Sequence, residues 1–315
     1  MIIIIILIVL AVSYIGFIVV PAVLLYRFAF GRKPCSVPLN EFGTLEGTRY
    51  APFSETLIPA DKFVHSQPFE EISVTARDGV LLRGRYLGQN SPRTMIFVHG
   101  YAGAPISNFC AQAERFCRLG WNLLFITERA HGESGGKRLG LGVLEQYDLL
   151  NWIDLEAQKS SVEDIVVYGS SMGSTAVAYA RDKITCPKVR TLVVDCGFVS
   201  PYRQLACDGR TRKLPTVLLL PVMRLIAWLD IHEDIHRTAG QSLKNTHIPV
   251  LFIHGEADRT VPIAQGRENY EACGSEKEFI AVAGADHILA YVTGGEEVQR
   301  KTEEFISKHM KGKLS

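Results

Sequence analysis

The chain has 315 residues, a hydrophobic content of 47% and a formal net charge of +1. Its length is enough for one large core, or for a single domain with insertions. The near-neutral charge argues against nucleic acid as a partner, because domains that bind nucleic acid carry a clustered basic excess.

The first predicted element is an apolar segment, residues 1–26, that begins with five consecutive isoleucines after Met1. A helix of this length, at roughly 1.5 Å per residue, can cross a bilayer core of about 30 Å. A signal peptide is the alternative, but no positive charge precedes the run and no small-residue cleavage site follows it. A buried core helix is also disfavoured, since every face of the segment is apolar. We therefore predict a transmembrane anchor over residues 1–30.

The charges that follow the anchor, together with the cysteines, predict on which side of the membrane the C-terminal domain lies. Arg27, Arg32 and Lys33 follow the apolar run, and positive charge is enriched on the cytoplasmic side of membrane spans. The seven cysteines are odd in number and lack C-x-x-C spacing, which predicts small buried side chains rather than disulfides or a metal site. We expect a single-pass protein of the cell membrane with its C-terminal domain in the cytoplasm.

The next predicted elements are a linker and a hairpin. Residues 31–67 contain four prolines and predict a linker that wraps over the surface of the following domain, residues 68–315. Residues 71–76 and 80–87, joined at Asp78 and Gly79, predict a β-hairpin.

Short apolar strands and helical periods alternate after the hairpin. This alternation is typical of βαβ units and predicts an α/β fold with a mostly parallel sheet covered on both faces. The predicted strands are 94–98, 122–127, 164–168, 191–195, 249–254 and 277–282, and the predicted helices are 106–119, 143–158, 172–182, 263–273 and 296–311.

Residues 197–246 interrupt the alternation. They contain an apolar stretch, residues 214–231, that is rich in Leu and Val and includes Trp228. An insertion of this length over an α/β sheet predicts a small helical cap at about residues 199–247. The alternative is one long crossover helix packed on the sheet.

Residues 164–173 predict a strand that runs through G-x-S-x-G into a helix. In such a nucleophile elbow Ser171 occupies the tip of a sharp turn, and Gly169 and Gly173 let the strand and the helix approach closely. Ser170 precedes the nucleophile in the motif and is expected to point away from the tip. The pattern is weak alone, and its strand–helix context strengthens it.

A serine nucleophile needs a base and an acid that orients the base. Asp258 and His287 follow two later predicted strands, and sites of open α/β sheets form beyond the carboxyl ends of the strands. The chain order Ser, Asp, His is the one found in α/β-hydrolases. Asp195, at the end of an earlier strand, stays open as an alternative acid.

Acyl transfer also requires backbone donors aimed at the developing oxyanion. Met172 follows the nucleophile and offers one N–H group. The loop after strand 94–98 offers the other, and Tyr101 is the expected donor. His99 in that loop is expected to support it rather than act as a second base. The glycine-rich turn 128–136 lacks the G-K-[ST] ending of a phosphate-binding loop and is expected to be structural.

Together these motifs resemble those of the serine α/β-hydrolase superfamily, over about residues 68–311. The resemblance is carried by FVHGYAG at 97–103, ERAHGESGG at 128–136, YGSSMG at 168–173, DCGF at 195–198, HGEADRTVP at 254–262 and GADH at 284–287. The chain is most similar to bacterial membrane-anchored hydrolases of the serine-aminopeptidase and lysophospholipase-like branch. Glu128 departs from the Asp that the family usually has, and Asp286 from a Gly. An inward-facing Asp286 would raise the pKa of the base.

The resemblance implies an α/β-hydrolase fold and a two-step reaction without a metal or an organic cofactor. His287 takes the proton of Ser171, which attacks an acyl carbonyl, and water then hydrolyses the acyl-enzyme while Asp258 holds the imidazole. The backbone N–H groups of Tyr101 and Met172 form the oxyanion hole.

The apolar cap and the anchor together predict the substrate. We expect a small-molecule ester or thioester with an apolar acyl part, and the lipid bilayer as the other partner. A serine peptidase stays an alternative because Glu233 and Asp234 of the cap are able to bind a peptide amine. A non-catalytic membrane-tethered binding protein is the second alternative. The sequence does not predict the oligomeric state.

Overall fold

An eight-stranded sheet runs through the computed structural model, which describes residues 1–35, 45–244 and 247–311. Residues 36–44 of the predicted linker, and residues 245 and 246 of the predicted insertion, lie outside the described residues. The strands are β1 (Glu70–Thr75), β2 (Leu81–Leu87), β3 (Arg93–Val98), β4 (Asn122–Thr127), β5 (Asp164–Ser170), β6 (Val189–Asp195), β7 (Val250–Gly255) and β8 (Lys277–Val282). Their order across the sheet is β1-β2-β4-β3-β5-β6-β7-β8.

The pairing of the strands follows from how they are connected. β1 and β2 form an antiparallel hairpin around Asp78 and Gly79, and Gly79 adopts the positive φ of 82° that this tight turn requires. β2 also pairs antiparallel with β4. Every following pair of neighbours in the sheet is parallel, in the order β4-β3-β5-β6-β7-β8. Every residue of β5 is buried, as expected for a central strand covered on both faces.

Helices cover both faces of the sheet, which confirms the predicted α/β architecture. The described helices are α1 (Ile2–Tyr14), α2 (Val20–Phe30), α3 (Ser54–His65), α4 (Cys110–Arg118), α5 (Glu145–Ala157), α6 (Met172–Ala180), α7 (Pro201–Thr211), α8 (Thr216–Ile231), α9 (Ala239–Leu243), α10 (Ile263–Ala272), α11 (Ala290–Thr293) and α12 (Gly295–Lys308). One apolar cluster joins β strands with α2, α5, α6 and α8, and a second joins the opposite face with α3, α4, α11 and α12.

Three helices, α7, α8 and α9, occupy the segment between β6 and β7. The apolar stretch predicted at residues 214–231 corresponds to α8. Leu219, Leu220 and Met223 are buried on its inner side. In its described residues this segment therefore consists of three helices rather than one crossover helix.

The sequence did not predict helix α3, which lies within the proline-containing stretch 31–67. Pro59 is inside this helix, where it removes a hydrogen-bond donor. Ala60 and Val64 are nevertheless buried, and α3 packs against α4. Burial against another helix offsets the local cost of the proline.

The N-terminal helix, Ile2–Phe30, consists of α1, a π-helical turn over Ile15–Val19, and α2. Among the described residues it is one helix that is long and apolar enough to cross a membrane, a test that a signal sequence also passes. Its C-terminal part is not free of the domain, because Ala22, Tyr26 and Phe30 are buried and α2 packs against α8.

Candidate active site

The turn between β5 and α6 places Ser171 in a strained backbone conformation. Its φ is 53° and its ψ is −116°, outside the regions that non-glycine residues usually adopt. A side chain at position 169 would collide with the backbone of Ser174, and one at position 173 with the carbonyl oxygen of Val98. Two glycines are therefore needed for the strand and the helix to meet at this angle, as in a nucleophile elbow.

Three side chains from different loops form a hydrogen-bonded chain at this turn. Nε2 of His287 lies 2.9 Å from Oγ of Ser171, and Nδ1 lies 2.7 Å from Oδ2 of Asp258. Ser171, Asp258 and His287 are all buried. Because a carboxylate only accepts hydrogen bonds, Nδ1 carries the proton, which leaves Nε2 as the acceptor for the serine hydroxyl. The imidazole therefore has the tautomer that a general base requires.

Asp258 is held in the ionised form by its surroundings. Burial raises the pKa of its carboxyl, but hydrogen bonds from His254, His287 and the backbone N–H of Val261 outweigh burial and hold the pKa well below its usual range. The N–H groups of Thr260 and Val261 donate to Oδ1 at 2.8 and 2.7 Å. The acid is thus oriented from both of its oxygens.

His254 is a contributor to this site that sequence reasoning missed. It ends β7, and its Nε2 donates to the carbonyl oxygen of Val261 at 2.9 Å and lies 3.4 Å from Oδ2 of Asp258. The signal was present in the sequence as a histidine four residues before the predicted acid. We infer that His254 fixes the loop that carries Asp258.

The two predicted oxyanion donors lie beside the serine. Met172 is the first residue of α6, where a backbone N–H has no partner within the helix. Tyr101 lies in the loop after β3, and the loop approaches so closely that a Cβ at Gly100 would be 3.2 Å from Cβ of Ser171. Tyr101, Ser171 and Met172 all line one cavity.

Two buried histidines tie the loop after β3 to the glycine-rich turn 128–136. Nε2 of His131 accepts a hydrogen bond from the N–H of Ala102 at 3.1 Å, and Nε2 of His99 accepts one from the N–H of Glu128 at 3.0 Å. Burial lowers the pKa of His99 to about 3 and that of His131 to about 4. Both rings are neutral near pH 7, as these acceptor roles require.

The two departures from the family pattern lie apart from the reacting atoms. Oδ1 of Asp286 accepts hydrogen bonds from the N–H groups of Arg259 and His287 at 3.1 and 2.8 Å, so this carboxylate faces the loop backbone and not the imidazole. The carboxyl of Glu128 is buried without a hydrogen-bond partner among the described residues, and burial raises its pKa well above the usual value.

Asp195, the alternative acid, is engaged elsewhere. It is buried at the end of β6, and its Oδ2 accepts a hydrogen bond from the Tyr168 hydroxyl at 3.2 Å. Burial raises the pKa of its carboxyl to about 6. The structure brings His287 onto Asp258 rather than onto Asp195.

A mostly apolar cavity of about 230 Å³ opens onto Ser171. The segment between β6 and β7 and the N-terminal helix contribute most of its apolar wall, namely Leu25, Phe28, Ala29, Phe198, Leu205, Leu214, Leu219, Leu220 and Met223. Gln204, Asp208 and Arg212 supply polar groups. The acidic cap residues Glu233 and Asp234 do not line this cavity, and they lie near Arg77 and Arg224.

One group of potential metal ligands lies together in the described part of the chain, namely Cys196, Asp258 and His287. Asp258 and His287 already bond each other, and burial raises the pKa of the Cys196 thiol well above its usual value. A metal ion would need the thiolate and would displace the Asp258–His287 hydrogen bond. These residues fit a hydrogen-bonded chain better than a metal centre.

Comparison with known proteins finds similar sequences and structures, although no family model matches the chain. Uncharacterised protein YqkD of Bacillus subtilis is 27% identical over 250 residues, 76% of this chain and 81% of that protein. A monoacylglycerol lipase of Mycolicibacterium smegmatis is 24% identical over 219 residues, 60% of this chain and 78% of the lipase. The solved esterase Pf2001 of Pyrococcus furiosus has a TM-score of 0.63 at 23% identity, covering 78% of this chain and 94% of the esterase. These comparisons show that the chain has the α/β-hydrolase fold and is similar in sequence and structure to lipases and esterases.

Proposed function

We propose that this chain is a membrane-anchored serine hydrolase that cleaves esters or thioesters with an apolar acyl part. The proposal rests above all on the hydrogen-bonded chain from Ser171 through His287 to Asp258 at the wall of an apolar cavity. The names of the lipase and esterase relatives support an ester as the bond that is cleaved, with a thioester as the alternative.

In the first step an acyl-enzyme forms on Ser171. Nε2 of His287 accepts the hydroxyl proton while Oγ attacks the acyl carbon, and Asp258 stabilises the imidazolium that results. The N–H groups of Met172 and Tyr101 donate to the developing oxyanion. The alcohol or thiol then leaves with the proton that His287 returns.

In the second step water replaces the leaving group. His287 takes a proton from this water, which attacks the acyl carbon, and Ser171 regains its proton as the carboxylic acid is released. His99 and His131 hold the loop that carries Tyr101, so the donors remain in place through both steps.

We further propose that the N-terminal helix anchors the enzyme with its domain in the cytoplasm. Its length and hydropathy support a membrane span. Arg32 donates hydrogen bonds to the carbonyl oxygens of Ser134 and Gly136 at 2.7 and 3.2 Å, which ties the end of the helix to the domain beside the site.

Labelling with a fluorophosphonate probe tests the catalytic proposal. We expect wild-type protein to react covalently and Ser171→Ala to be unreactive, because the probe requires an activated serine. Ser170→Ala is the matched control: Ser170 is equally buried one position earlier, its hydroxyl makes no hydrogen bond among the described residues, and its variant should react like wild type. Folded wild-type protein that does not react, or Ser171→Ala that does, would exclude this mechanism.

An acyl-chain series tests the substrate class. Hydrolysis of p-nitrophenyl esters should rise with acyl length, because the cavity wall is apolar, and aminoacyl p-nitroanilides should be poor substrates. A preference for the anilides would favour the peptidase alternative instead.

A further inference from the structure

Helix α8 has a buried apolar side and, facing away from it, a second set of apolar side chains that are exposed; its charged residues Arg224 and Asp230 form ion pairs with Asp234 and Arg138. Its exposed large apolar side chains are Val217, Leu218, Leu225, Trp228 and Leu229, with exposed fractions between 54% and 83%. On a helix of 3.6 residues per turn these five occupy an arc of about 120°. The buried residues Leu219, Leu220, Met223, Ala227 and Ile231 occupy the opposite side. We call the exposed arc the outer face of α8.

A continuous apolar face of this kind is unusual on a surface that meets only water. Scattered apolar side chains are normal on soluble proteins, whereas contiguous apolar patches mark contacts with proteins or membranes. The outer face therefore requires a partner, and its position in the fold indicates which one.

The outer face continues onto the N-terminal helix. α8 packs along the π-helical turn Ile15–Val19 and along α2. The hydroxyl of Tyr26 on α2 donates to Oδ2 of Asp230 on α8 at 3.0 Å. Phe17, Val20, Leu24 and Phe28 are exposed on the N-terminal helix. Two adjacent helices thus present apolar side chains to the surroundings.

The length of the N-terminal helix indicates where α8 lies relative to the lipid bilayer. Twenty-nine residues extend about 43 Å, whereas a bilayer core of about 30 Å needs roughly 20 residues. The last third of the helix therefore reaches the boundary between lipid and water, and α8 packs along this part and along the π-helical turn before it. Three exposed basic residues belong to these parts of the chain: Arg27 lies in α2, and Arg210 and Lys213 precede α8. Their positive charges suit the anionic headgroups of lipids at such a boundary.

We propose that the outer face of α8 is seated in the membrane leaflet that the N-terminal helix enters, and that the cavity receives its acyl chain from this leaflet. The proposal rests on the proposed function. Leu219, Leu220 and Met223 on the inner side of α8 line the cavity, as does Phe28 of α2. Phe28 is also 65% exposed, so the cavity wall reaches the outer surface at this residue. A lipid acyl chain therefore has a short apolar path to Ser171.

Tryptophan fluorescence of the full chain tests the membrane contact. Trp228 is exposed on the outer face, while Trp121 and Trp152 are buried in the fold. In vesicles of phosphatidylcholine and phosphatidylglycerol, lipids with brominated acyl chains should quench the wild-type emission. Trp228→Phe, which keeps an aromatic side chain, should lose the quenchable part.

Contrary results are equally clear. If the protein floats with the vesicles but brominated lipids leave its emission unchanged, or if iodide in the water quenches Trp228 instead, the outer face lies outside the membrane and the inference is wrong. Crosslinking between copies through the outer face would also overturn it, because a second chain would then be the partner.

Kinetics on two substrates test the acyl path. Leu225→Asp should lower hydrolysis of a long-chain ester embedded in vesicles by at least tenfold, and leave hydrolysis of a short water-soluble ester in detergent unchanged. Leu119→Asp is the control, since Leu119 is exposed after α4 on the opposite face of the sheet. An equal rate of the two variants on the embedded ester would exclude delivery from the leaflet.

The proposed function has its own separate outcome. If Ser171 proves unreactive toward the fluorophosphonate probe, the hydrolase proposal is wrong, whereas the quenching of Trp228 still decides where α8 lies. Flotation of the protein with vesicles measures membrane attachment by the N-terminal helix, independently of the reactivity of Ser171 and of the quenching of Trp228.

Discussion

The carboxylate of Asp258 is held by hydrogen bonds to both of its oxygens, and the bond to one of them orients His287. Its Oδ1 accepts two backbone N–H groups, its Oδ2 accepts Nδ1–H of His287, and His254 holds the surrounding loop. Any change that adds hydrogens to this carboxyl group would disturb the tautomer of His287 while leaving the fold nearly unchanged.

Asp258→Asn tests this role. We expect kcat for ester hydrolysis to fall by about 10⁴-fold with little change in KM, because an amide NH₂ group favours the wrong imidazole tautomer. Asp286→Asn is the matched control, since Asp286 is a neighbouring acid whose Oδ1 accepts only backbone N–H groups and an amide oxygen can do the same. A similar loss in both variants would contradict the special role of Asp258.

His131 gives the stability of the protein a dependence on pH. Burial lowers its pKa to about 4, below the ordinary value of about 6.5 for an unfolded chain. Between these values the unfolded chain binds a proton that the folded chain does not, so His131 lowers stability as the pH falls from about 6.5 to about 4. The buried carboxyls of Asp148 and Asp195, with pKa values raised to about 6, act in the opposite direction.

The contribution of His131 is therefore measured as a difference between two proteins. We expect the Tm of wild type to drop by several degrees more than that of His131→Gln between pH 6.5 and 4.5, at about 2–4 °C for each kcal/mol. Thermal unfolding followed by circular dichroism in detergent measures both. Parallel decreases would show that His131 is not the titrating group.

Among the elements, the β5–α6 connection depends most strictly on one residue type. The sequence predicted its strand, turn and helix because G-x-S-x-G followed an apolar strand, and such a local pattern is visible without tertiary information.

Helix α3 was not predicted, because its formation depends on tertiary contacts that the local sequence does not show. Pro59 argues against a helix locally, and only the burial of Ala60 and Val64 offsets it. The role of His254 likewise depends on a loop closing back over β7.

Gly173→Ala tests the close approach of α6 to β3. The added Cβ would collide with the carbonyl oxygen of Val98, so we expect destabilisation of about 1–3 kcal/mol or more and loss of fluorophosphonate labelling. Gly16→Ala is the control, because a Cβ at this second helical glycine has nothing within 4 Å. A Gly173→Ala protein with wild-type Tm and labelling would contradict the described packing.

At the scale of the whole molecule, the sheet and its covering helices could be predicted, because strand and helix periods alternate plainly along the chain. The packing of the N-terminal helix could not. Every face of this helix is apolar, so nothing in the sequence distinguishes Ala22, Tyr26 and Phe30, which contact the domain, from neighbours that do not. The division of the chain at residues 30 and 67 stays a prediction.

The orientation of the molecule is testable in membranes. We expect the domain to be protected from added protease in right-side-out membrane vesicles and to be digested once detergent opens them, because Arg27, Arg32 and Lys33 favour the cytoplasmic side. Immunoblotting of a C-terminal tag measures the protection. Digestion without detergent would place the domain on the outer side.

The cavity wall formed by Leu25, Phe28 and Ala29 has a practical consequence for anyone who purifies this protein. Removing the apolar N-terminus is the usual way to obtain soluble material from such a chain. Here the cut would take away part of the wall of the cavity beside Ser171 and leave the remaining wall open to water. Rates and chain-length preferences measured on the shortened protein would then describe an altered enzyme, so the full chain in detergent or nanodiscs is the appropriate material.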